Sequence, residues 1–179
     1  MINTKTIVIN LFGEPSTGKS TAAMDITSRL KRAGINAEYV SEFAKDKVYE
    51  ENSEVFKHQE YIFGKQSFKM GRVREKVQVI VTDSPLILSA VYNQDEVLGK
   101  EFNTTVRNVF NSYDNRNYLL IRKHKYENEG RLHNEEQAVS IRKEIINTLK
   151  SMKVDFNVTT SSDEDCQNIV DKIVKEFSE

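Results

Sequence analysis

The chain has 179 residues, of which 38% are hydrophobic, and its 26 basic and 27 acidic side chains nearly cancel. This length predicts a single domain over residues 1–179, and the balanced charge argues against a protein whose main task is to bind nucleic acid. No apolar run reaches membrane-spanning length and the single cysteine, Cys166, cannot form an internal disulfide, so we expect a cytoplasmic protein with no membrane partner.

The first half of the chain alternates strand-like and helix-like patterns. Residues 6–12 (TIVINLF) form a β-branched apolar run that is typical of a strand in a parallel sheet. From Ser20 to Ala33 the apolar residues recur at helical spacing, and Gly34 occupies the position of a left-handed C-terminal cap. The next predicted elements are a strand, a long helical region and a second buried strand, at residues 37–40, 53–76 and 77–82.

The second half continues this alternation. Helix-capping patterns pair Asn134 with Gln137 and Ser162 with Asp165. The predicted elements are two short helices, a strand, a helix, a strand and a helix, at residues 86–93, 100–112, 118–121, 134–152, 154–158 and 162–177. Such alternation predicts an α/β fold, a three-layer α/β/α sandwich with a mainly parallel sheet of about five strands, in which ligands bind beyond the carboxyl ends of the strands.

A phosphate-binding motif follows the first predicted strand. Residues 13–20 (GEPSTGKS) match G-x-x-x-x-G-K-[ST] at each fixed position. In this motif the backbone N–H groups and the helix dipole bind phosphate, the lysine reaches the β- and γ-phosphates, and the hydroxyl is a ligand for Mg²⁺. The alternative is an ordinary glycine turn before a helix. We predict an ATP and Mg²⁺ site whose nucleotide-binding residues are Gly13, Glu14, Pro15, Ser16, Thr17, Gly18, Lys19, Ser20 and Thr21.

An acidic residue, Asp83, ends the strand predicted at 77–82. P-loop proteins place there the carboxylate that holds the metal, directly or through water, so Asp83 joins Ser20 as a predicted metal ligand. The alternative is a turn cap, since Ser84 and Pro85 follow. The chain lacks an N-K-x-D sequence for guanine recognition and is short for a motor-type ATPase, so a compact kinase fits it better.

A kinase also binds an acceptor, the molecule that receives the phosphate. We predict its binding site from Glu42, at the end of the second strand. A carboxylate at this edge can orient an acceptor hydroxyl and accept its proton, which makes Glu42 the candidate general base. The alternatives are Asp46 as the base, or Glu42 as a helix cap. Gln59 and Arg74 are the further candidates for acceptor binding, Gln59 because an amide can bond to the edge of a base.

A polar segment, residues 123–133, is predicted to form a mobile lid over the phosphates. Within it Arg131 is the candidate that stabilises charge on the transferring phosphoryl group, because a guanidinium binds phosphate oxygens in a planar fork. Arg122 and Arg142 are further candidates, Arg122 as a nucleotide-binding residue. The alternative is a solvated charged loop.

Four motifs together resemble a known family. They are GEPSTGKS, VSEFA at 40–44, TDSP at 82–85 and EGRLHNEEQA at 129–138. In this order they are similar to the small P-loop kinases that include the ribosylnicotinamide kinase domain and related bacteriophage-type nucleoside or nucleotide kinases, over nearly the whole chain.

The resemblance implies roles for six residues and admits a homodimer, since homodimers are common among such kinases. By this resemblance, ATP and magnesium bind to Lys19, Ser20 and Thr21. Glu42 and Asp83 face the acceptor and the metal, and Arg131 belongs to the lid. Relatives often carry an alanine-arginine pair where this chain has Ala44 and Lys45. The identity of the acceptor is therefore open.

Three functions compete on these residues. The first is a kinase that phosphorylates a small nucleoside-like or nucleoside monophosphate acceptor. The second is a kinase for DNA, RNA or a modified base, since basic residues recur between 65 and 76, although the neutral net charge weighs against it. The third is a nucleotide-controlled switch whose slow hydrolysis changes a partner contact.

Overall fold

The computed structural model describes residues 6–51, 53–122 and 135–178, with the side chains of 135 and 136 left out. Its strands are β1 (Ile7–Phe12), β2 (Ala37–Val40), β3 (Val79–Thr82), β4 (Asp114–Leu120) and β5 (Asn157–Thr159). Its helices are α1 (Lys19–Arg32), α2 (Phe43–Tyr49), α3 (Gln59–Gly71), α4 (Leu88–Val91), α5 (Gly99–Asn111), α6 (Glu135–Ser151) and α7 (Asp163–Ser178), and a 3₁₀ helix (Ser53–Lys57) precedes α3.

The five strands form one sheet in the order β2-β3-β1-β4-β5. Every neighbouring pair is parallel. The chain therefore leaves β1, forms β2 at the edge of the sheet, and returns to place β3 between them. As a result the carboxyl ends of β2, β3 and β1 lie side by side, and the loops that follow these three strands meet there.

Helices cover both faces of the sheet. On one face Ile9 and Leu11 of β1 pack in a core shared with α1 and α7. On the other face Val8 and Phe12 pack in a core with residues of α3, α5 and α6. β1 is thus buried on both sides, which explains why it reads as a nearly continuous apolar run. The predicted three-layer α/β/α fold with a parallel sheet is confirmed.

Two predicted helix ends are also confirmed. Gly34 has φ +83° and follows α1, and the N–H of Ile35 donates to the carbonyl oxygen of Leu30 at 3.0 Å, as expected of a left-handed C-terminal cap. Before α7, the hydroxyl of Ser162 accepts a hydrogen bond from the N–H of Asp165 at 3.3 Å. The cap predicted at Asn134 lies outside the described residues.

The helical region predicted at 53–76 is wrong in its extent. A 3₁₀ helix ends at Lys57, and His58 has φ −108° and ψ 74°, which is not helical. α3 then ends at Gly71, and Glu75 has φ +64° in the turn that leads to β3. The pattern missed the break at His58 because Phe56 and Phe63 keep helical spacing across it.

The strand limits also differ from the prediction. β4 begins at Asp114 rather than 118, because its polar first half is paired with β1 and bonded to the buried Asn10, whose amide donates to Asn115 and Asn117. β5 begins at Asn157 rather than 154, since Val154 instead packs in the core after α6. Of the predicted helix at 86–93 only α4 is regular. Within the described residues, no helix has the length and apolarity needed to cross a membrane.

Candidate active site

The phosphate loop, residues 13–20, joins β1 to α1 and has an unusual backbone. Gly13, Ser16 and Gly18 have φ values of +149°, +68° and +83°. A Cβ on Gly18 would lie 2.5 Å from Oγ of Ser161, and one on Gly13 would lie 2.8 Å from the carbonyl oxygen of Leu120. Glycine is therefore required at both positions by the left-handed backbone and by close neighbours.

Internal hydrogen bonds close the loop on itself. Nζ of Lys19 donates to the carbonyl oxygens of Gly13 and Glu14 at 2.8 and 3.0 Å, and Oγ1 of Thr17 donates to the carbonyl oxygen of Glu14 at 3.0 Å. The ammonium group therefore lies beside the turn that precedes α1. With the positive end of the helix dipole behind it, this arrangement fits the phosphates of a nucleotide.

Asp83 joins the loop to two other segments. Its carboxylate, on a residue only 2% exposed, accepts hydrogen bonds from Oγ of Ser20 at 2.6 Å and from the hydroxyl of Tyr39 at 2.8 Å. The backbone N–H of Glu42 donates to its other oxygen at 3.1 Å. Since the ends of β1, β3 and β2 supply these groups, the sheet order brings Ser20, Asp83 and Glu42 together.

The phenol of Tyr39 is held in its neutral form. Burial raises its pKa well above the ordinary value, and the negative charge of Asp83 raises the pKa further. A neutral phenol can donate to Asp83 at every pH in the physiological range. The three groups that contact the Asp83 carboxylate, namely the hydroxyls of Ser20 and Tyr39 and the N–H of Glu42, therefore all act as hydrogen-bond donors.

Helix α3 holds the turn that carries Glu42. The N–H of Phe43 donates to Oε1 of the buried Gln66 at 2.9 Å, and Nζ of Lys69 donates to the carbonyl oxygen and hydroxyl of Ser41 at 2.7 and 2.9 Å. Tyr92 is near: burial chiefly, and then the charge of Glu42, raise the pKa of its phenol. Glu42 thus sits on a braced turn beside the metal-ligand candidates.

Two predicted arginines converge on the loop from its other side. Nη2 of Arg142, on α6, donates to Oε1 of Glu14, and Nη2 of Arg122, just after β4, lies 3.6 Å from the same oxygen. The carboxylate raises the pKa of Arg142, so this guanidinium stays charged. The side chain of Glu14 points inward and is fully buried. Glu14 therefore pairs with arginines, and its side chain does not line the outer surface of the loop.

The remaining predicted residues divide into several groups. Arg131, with the predicted lid at 123–133, lies outside the described residues. Thr21 and Asp46 are exposed on α1 and α2. Gln59 is buried, and its Nε2 donates to the carbonyl oxygen of Phe56 at 3.0 Å. Arg74 does not join the site.

Arg74 lies near the amino ends of the strands, on the opposite side of the sheet from the carboxyl ends that carry the phosphate loop. Its Nη2 donates to the carbonyl oxygen of Ser112 at 2.5 Å, and its guanidinium lies 4.4 Å from the ring centre of Tyr113. Both partners directly precede β4, at the amino end of that strand. The guanidinium therefore fastens the turn after α3 to the segment that precedes β4, and the structure does not bring it to the acceptor side.

Sequence reasoning missed four residues that shape the site: Tyr39, Gln66, Lys69 and Ser161. Their partners are remote in the chain, and tyrosine, glutamine and lysine on a strand or helix give no motif. A signal for Tyr39 did exist, because it lies three residues before Glu42 in a strand that ends at the predicted site.

The donor set fits magnesium and a nucleotide. A hydroxyl and a carboxylate 2.6 Å apart, Ser20 and Asp83, offer the oxygen ligands that Mg²⁺ prefers. No group of three or more His, Cys, Asp or Glu residues that could hold a metal occurs in the described part of the chain. Magnesium in such sites takes one or two protein oxygens and completes its shell with phosphate oxygens and water.

The sequence matches a known protein family. A family model described as an AAA domain matches residues 8–165. The chain belongs to this AAA domain family. The match runs from β1 through the phosphate loop to the first turn of α7, so it contains the described site residues. No curated protein matches the sequence.

Solved structures support the same fold. The NadR protein in complex with NR aligns with a TM-score of 0.63 at 14% identity, covering 95% of this chain and 50% of that one. Deoxyadenosine kinase from M. mycoides with bound dATP aligns with a TM-score of 0.53 at 18% identity, covering 96% of this chain and 99% of that one. This chain therefore spans half of the NadR protein. The resemblance to P-loop kinases that the motifs predicted is confirmed for the fold.

Proposed function

We propose that this AAA domain family member is an ATP- and Mg²⁺-dependent kinase that phosphorylates a hydroxyl or phosphate of a small nucleoside-like or nucleoside monophosphate acceptor. The observation that carries this proposal is the 2.6 Å hydrogen bond between Ser20 at the end of the phosphate loop and the buried Asp83. We further propose that residues 1–179 act as one P-loop kinase domain. Cytoplasmic localisation and a homodimer remain predictions.

The nucleotide side of the site supports this reaction. The loop N–H groups, the start of α1 and Lys19 would bind the triphosphate, while Ser20 and Asp83 would hold the metal. When bound, Mg²⁺ neutralises charge on the phosphate oxygens and aligns them. Arg122 and Arg142 lie beside the loop through their contacts with Glu14. They would stabilise negative charge on the transferring phosphoryl group, together with Arg131 of the predicted lid.

The acceptor side supports a hydroxyl nucleophile. Glu42 is joined to Asp83 by its own backbone N–H, so its position is fixed relative to the metal ligands. Its carboxylate would orient the acceptor hydroxyl and accept its proton as the bond to phosphorus forms. Asp46, the alternative base, is exposed one turn further along. Gln59 stays a predicted acceptor contact.

The acceptor class is proposed from two similarities. One structural neighbour is a deoxyadenosine kinase, and the other is in complex with NR. Both proteins support a nucleoside-like acceptor for the shared fold. Since identity is only 14% to 18% and this chain has Lys45 after Ala44, the particular acceptor has to be found by experiment.

The deciding experiment measures ADP release from ATP and Mg²⁺ over a panel of nucleosides, nucleoside monophosphates, nicotinamide riboside and short DNA. Lys19→Ala, which removes the ammonium group from the loop, is the matched control and should abolish turnover. Acceleration by one small acceptor supports the proposal and names the acceptor. Equal turnover by the Lys19→Ala protein would overturn it.

A second candidate, a polynucleotide kinase, rests on the outer face of α3. Phe68 is 69% exposed and Tyr61 is 42% exposed, and Nζ of Lys65 lies 5.3 Å from the ring centre of Tyr61. Exposed aromatic rings with nearby cations can stack on bases. If only DNA accelerates turnover, this candidate replaces the first. If ATP binds and no acceptor has an effect, the nucleotide-controlled switch is favoured over both.

A further inference from the structure

Glu14 is a buried charge that the motif itself does not require. The second position of the phosphate-binding pattern accepts any residue, yet here it carries a carboxylate with 0% side-chain exposure. Burying a carboxylate is costly unless cations and hydrogen bonds compensate it. The charge therefore indicates a role in pairing, because a turn at this place could be formed without it.

The partners of Glu14 come from the two segments that flank residues 123–134. Its Oε1 accepts from Nη2 of Arg142 on α6 and lies 3.6 Å from Nη2 of Arg122 after β4. Its own carbonyl oxygen accepts from Nζ of Lys19 at 3.0 Å. One residue of the phosphate loop thus gathers three cations from three parts of the chain.

Two buried polar atoms of this cluster lack partners. Among the described residues, Oε2 of Glu14 and Nε of Arg142 are buried and have no hydrogen-bond partner. Buried polar atoms without partners are rare in native proteins and call for a ligand or water. The guanidinium of Arg142 uses Nη2 for Glu14, so its Nε is left for a further acceptor, and a phosphate oxygen is the acceptor that guanidinium groups bind best.

We propose that Glu14 is a positioning residue for the nucleotide. Its carboxylate holds Arg142 and Arg122 against the phosphate loop, and both guanidinium groups then meet the terminal phosphate of a bound triphosphate. This inference rests on the proposed ATP-dependent function, which supplies the triphosphate. A diphosphate ends before that point, so Glu14 distinguishes ATP from ADP although its own side chain touches neither.

The test compares ATP and ADP affinities, both with Mg²⁺, by titration calorimetry. Glu14→Gln keeps the shape and removes the charge. It should weaken ATP binding by about 10- to 100-fold, the range of a hydrogen bond to a charged group, and ADP binding far less. Arg142→Gln should lose a similar factor, and the double variant should lose little more, because the two residues act as one unit. Glu14→Asp should restore part of the ATP affinity.

Thermal unfolding of each variant checks the fold. Equal losses of ATP and ADP affinity in Glu14→Gln would mean a structural role and overturn the inference. Tighter ATP binding would mean that Glu14 occupies the arginines in place of phosphate, and would also overturn it. If Glu14→Gln does not fold, an ATP-selective loss in Arg142→Gln supports the inference and its absence overturns it. If the wild-type protein does not bind ATP, the proposed function itself is overturned. This outcome differs from failure of the Glu14 inference, in which the wild-type protein binds ATP normally.

Discussion

Asp83 combines deep burial with three donors, and its charge should matter more than its shape. Oγ of Ser20, the hydroxyl of Tyr39 and the N–H of Glu42 all donate to it. In Asp83→Asn one oxygen becomes an amide that cannot accept, and the negative charge is lost. We expect metal-dependent turnover to fall by at least about 100-fold, measured as ADP release against Mg²⁺ concentration with the acceptor found above.

The control for this prediction is the unfolding temperature, because asparagine has the same size as aspartate. We expect the unfolding temperature of Asp83→Asn to stay close to that of the wild-type protein while turnover falls. Ser20→Ala serves as the matched variant on the loop side, where only the hydroxyl is removed. Full turnover of Asp83→Asn at the wild-type Mg²⁺ requirement would contradict a metal role for Asp83.

Tyr39 allows a prediction about pH. Burial and the charge of Asp83 raise the pKa of its phenol, so the hydroxyl stays protonated and continues to donate to Asp83 as pH rises past the ordinary tyrosine value. Tyr39→Phe removes this hydrogen bond from a metal-ligand candidate. We therefore expect the apparent affinity for Mg²⁺ in the turnover assay to fall by about 10-fold. The factor should be the same at neutral and mildly alkaline pH. A factor that vanishes as pH rises would show that the phenol ionises there.

Residue identities were predictable where a motif or a strand end marks them. Lys19, Ser20 and Asp83 follow from the loop pattern and from the end of a buried run. Tyr39 contacts a carboxylate 44 positions away, and Arg74 binds Ser112 at the other edge of the sheet. Such contacts depend on which elements become neighbours, and a local pattern does not contain that information.

At the scale of elements, the glycines of the phosphate loop and of α3 should respond in opposite ways. A Cβ on Gly18 would lie 2.5 and 2.7 Å from Oγ and Cβ of Ser161, and φ there is +83°. Gly64 lies inside α3, and a Cβ there meets no atom within 4 Å. Gly64→Ala should therefore stabilise the protein by up to about 1 kcal/mol through helix propensity.

Gly18→Ala should instead destabilise the protein by about 1 to 3 kcal/mol, since a strained backbone and a displaced β5–α7 loop both add to its cost. Urea unfolding of the two variants measures both changes, and the wild-type protein is the reference. ATP binding should fail in Gly18→Ala and persist in Gly64→Ala. A neutral Gly18→Ala would contradict the tight packing between the loop and Ser161.

The elements that the sequence predicted well are those with a continuous apolar run or a clear stripe. β1 and α1 have these signals. α2 was anticipated only through the alternative of Glu42 as a helix cap, because none of its residues is buried and no apolar stripe marks it. The polar half of β4 was missed because its strand pairing is supported by amide hydrogen bonds rather than by apolar side chains. Tertiary contacts therefore decide these segments, and propensity does not.

At the scale of the whole molecule, the sheet order creates the site. The order β2-β3-β1 places the ends of three strands side by side, and Glu42, Asp83 and the phosphate loop follow those three ends. The alternation of strands and helices predicted a parallel sheet with ligands at this edge. The order itself depends on how the two apolar cores fill, and no local pattern specifies that.

The core between the sheet, α1 and α7 contains a titratable group, Cys166, which links global stability to pH. Burial chiefly, and then the negative charge of Asp25, raise the pKa of this thiol from 9.0 to about 11. The folded protein therefore keeps the proton that the unfolded chain releases above about pH 9, and stability must fall as pH rises through that window. The contribution is at most about 3 kcal/mol, from a shift of about two pKa units.

Cys166→Ala should lower the free energy of unfolding in urea at neutral pH because it leaves a small cavity. The difference in this free energy between the variant and the wild-type protein should then narrow between pH 9 and pH 11. The buried tyrosines are common to both proteins and cancel in this difference, so two parallel pH profiles would contradict a buried, protonated thiol.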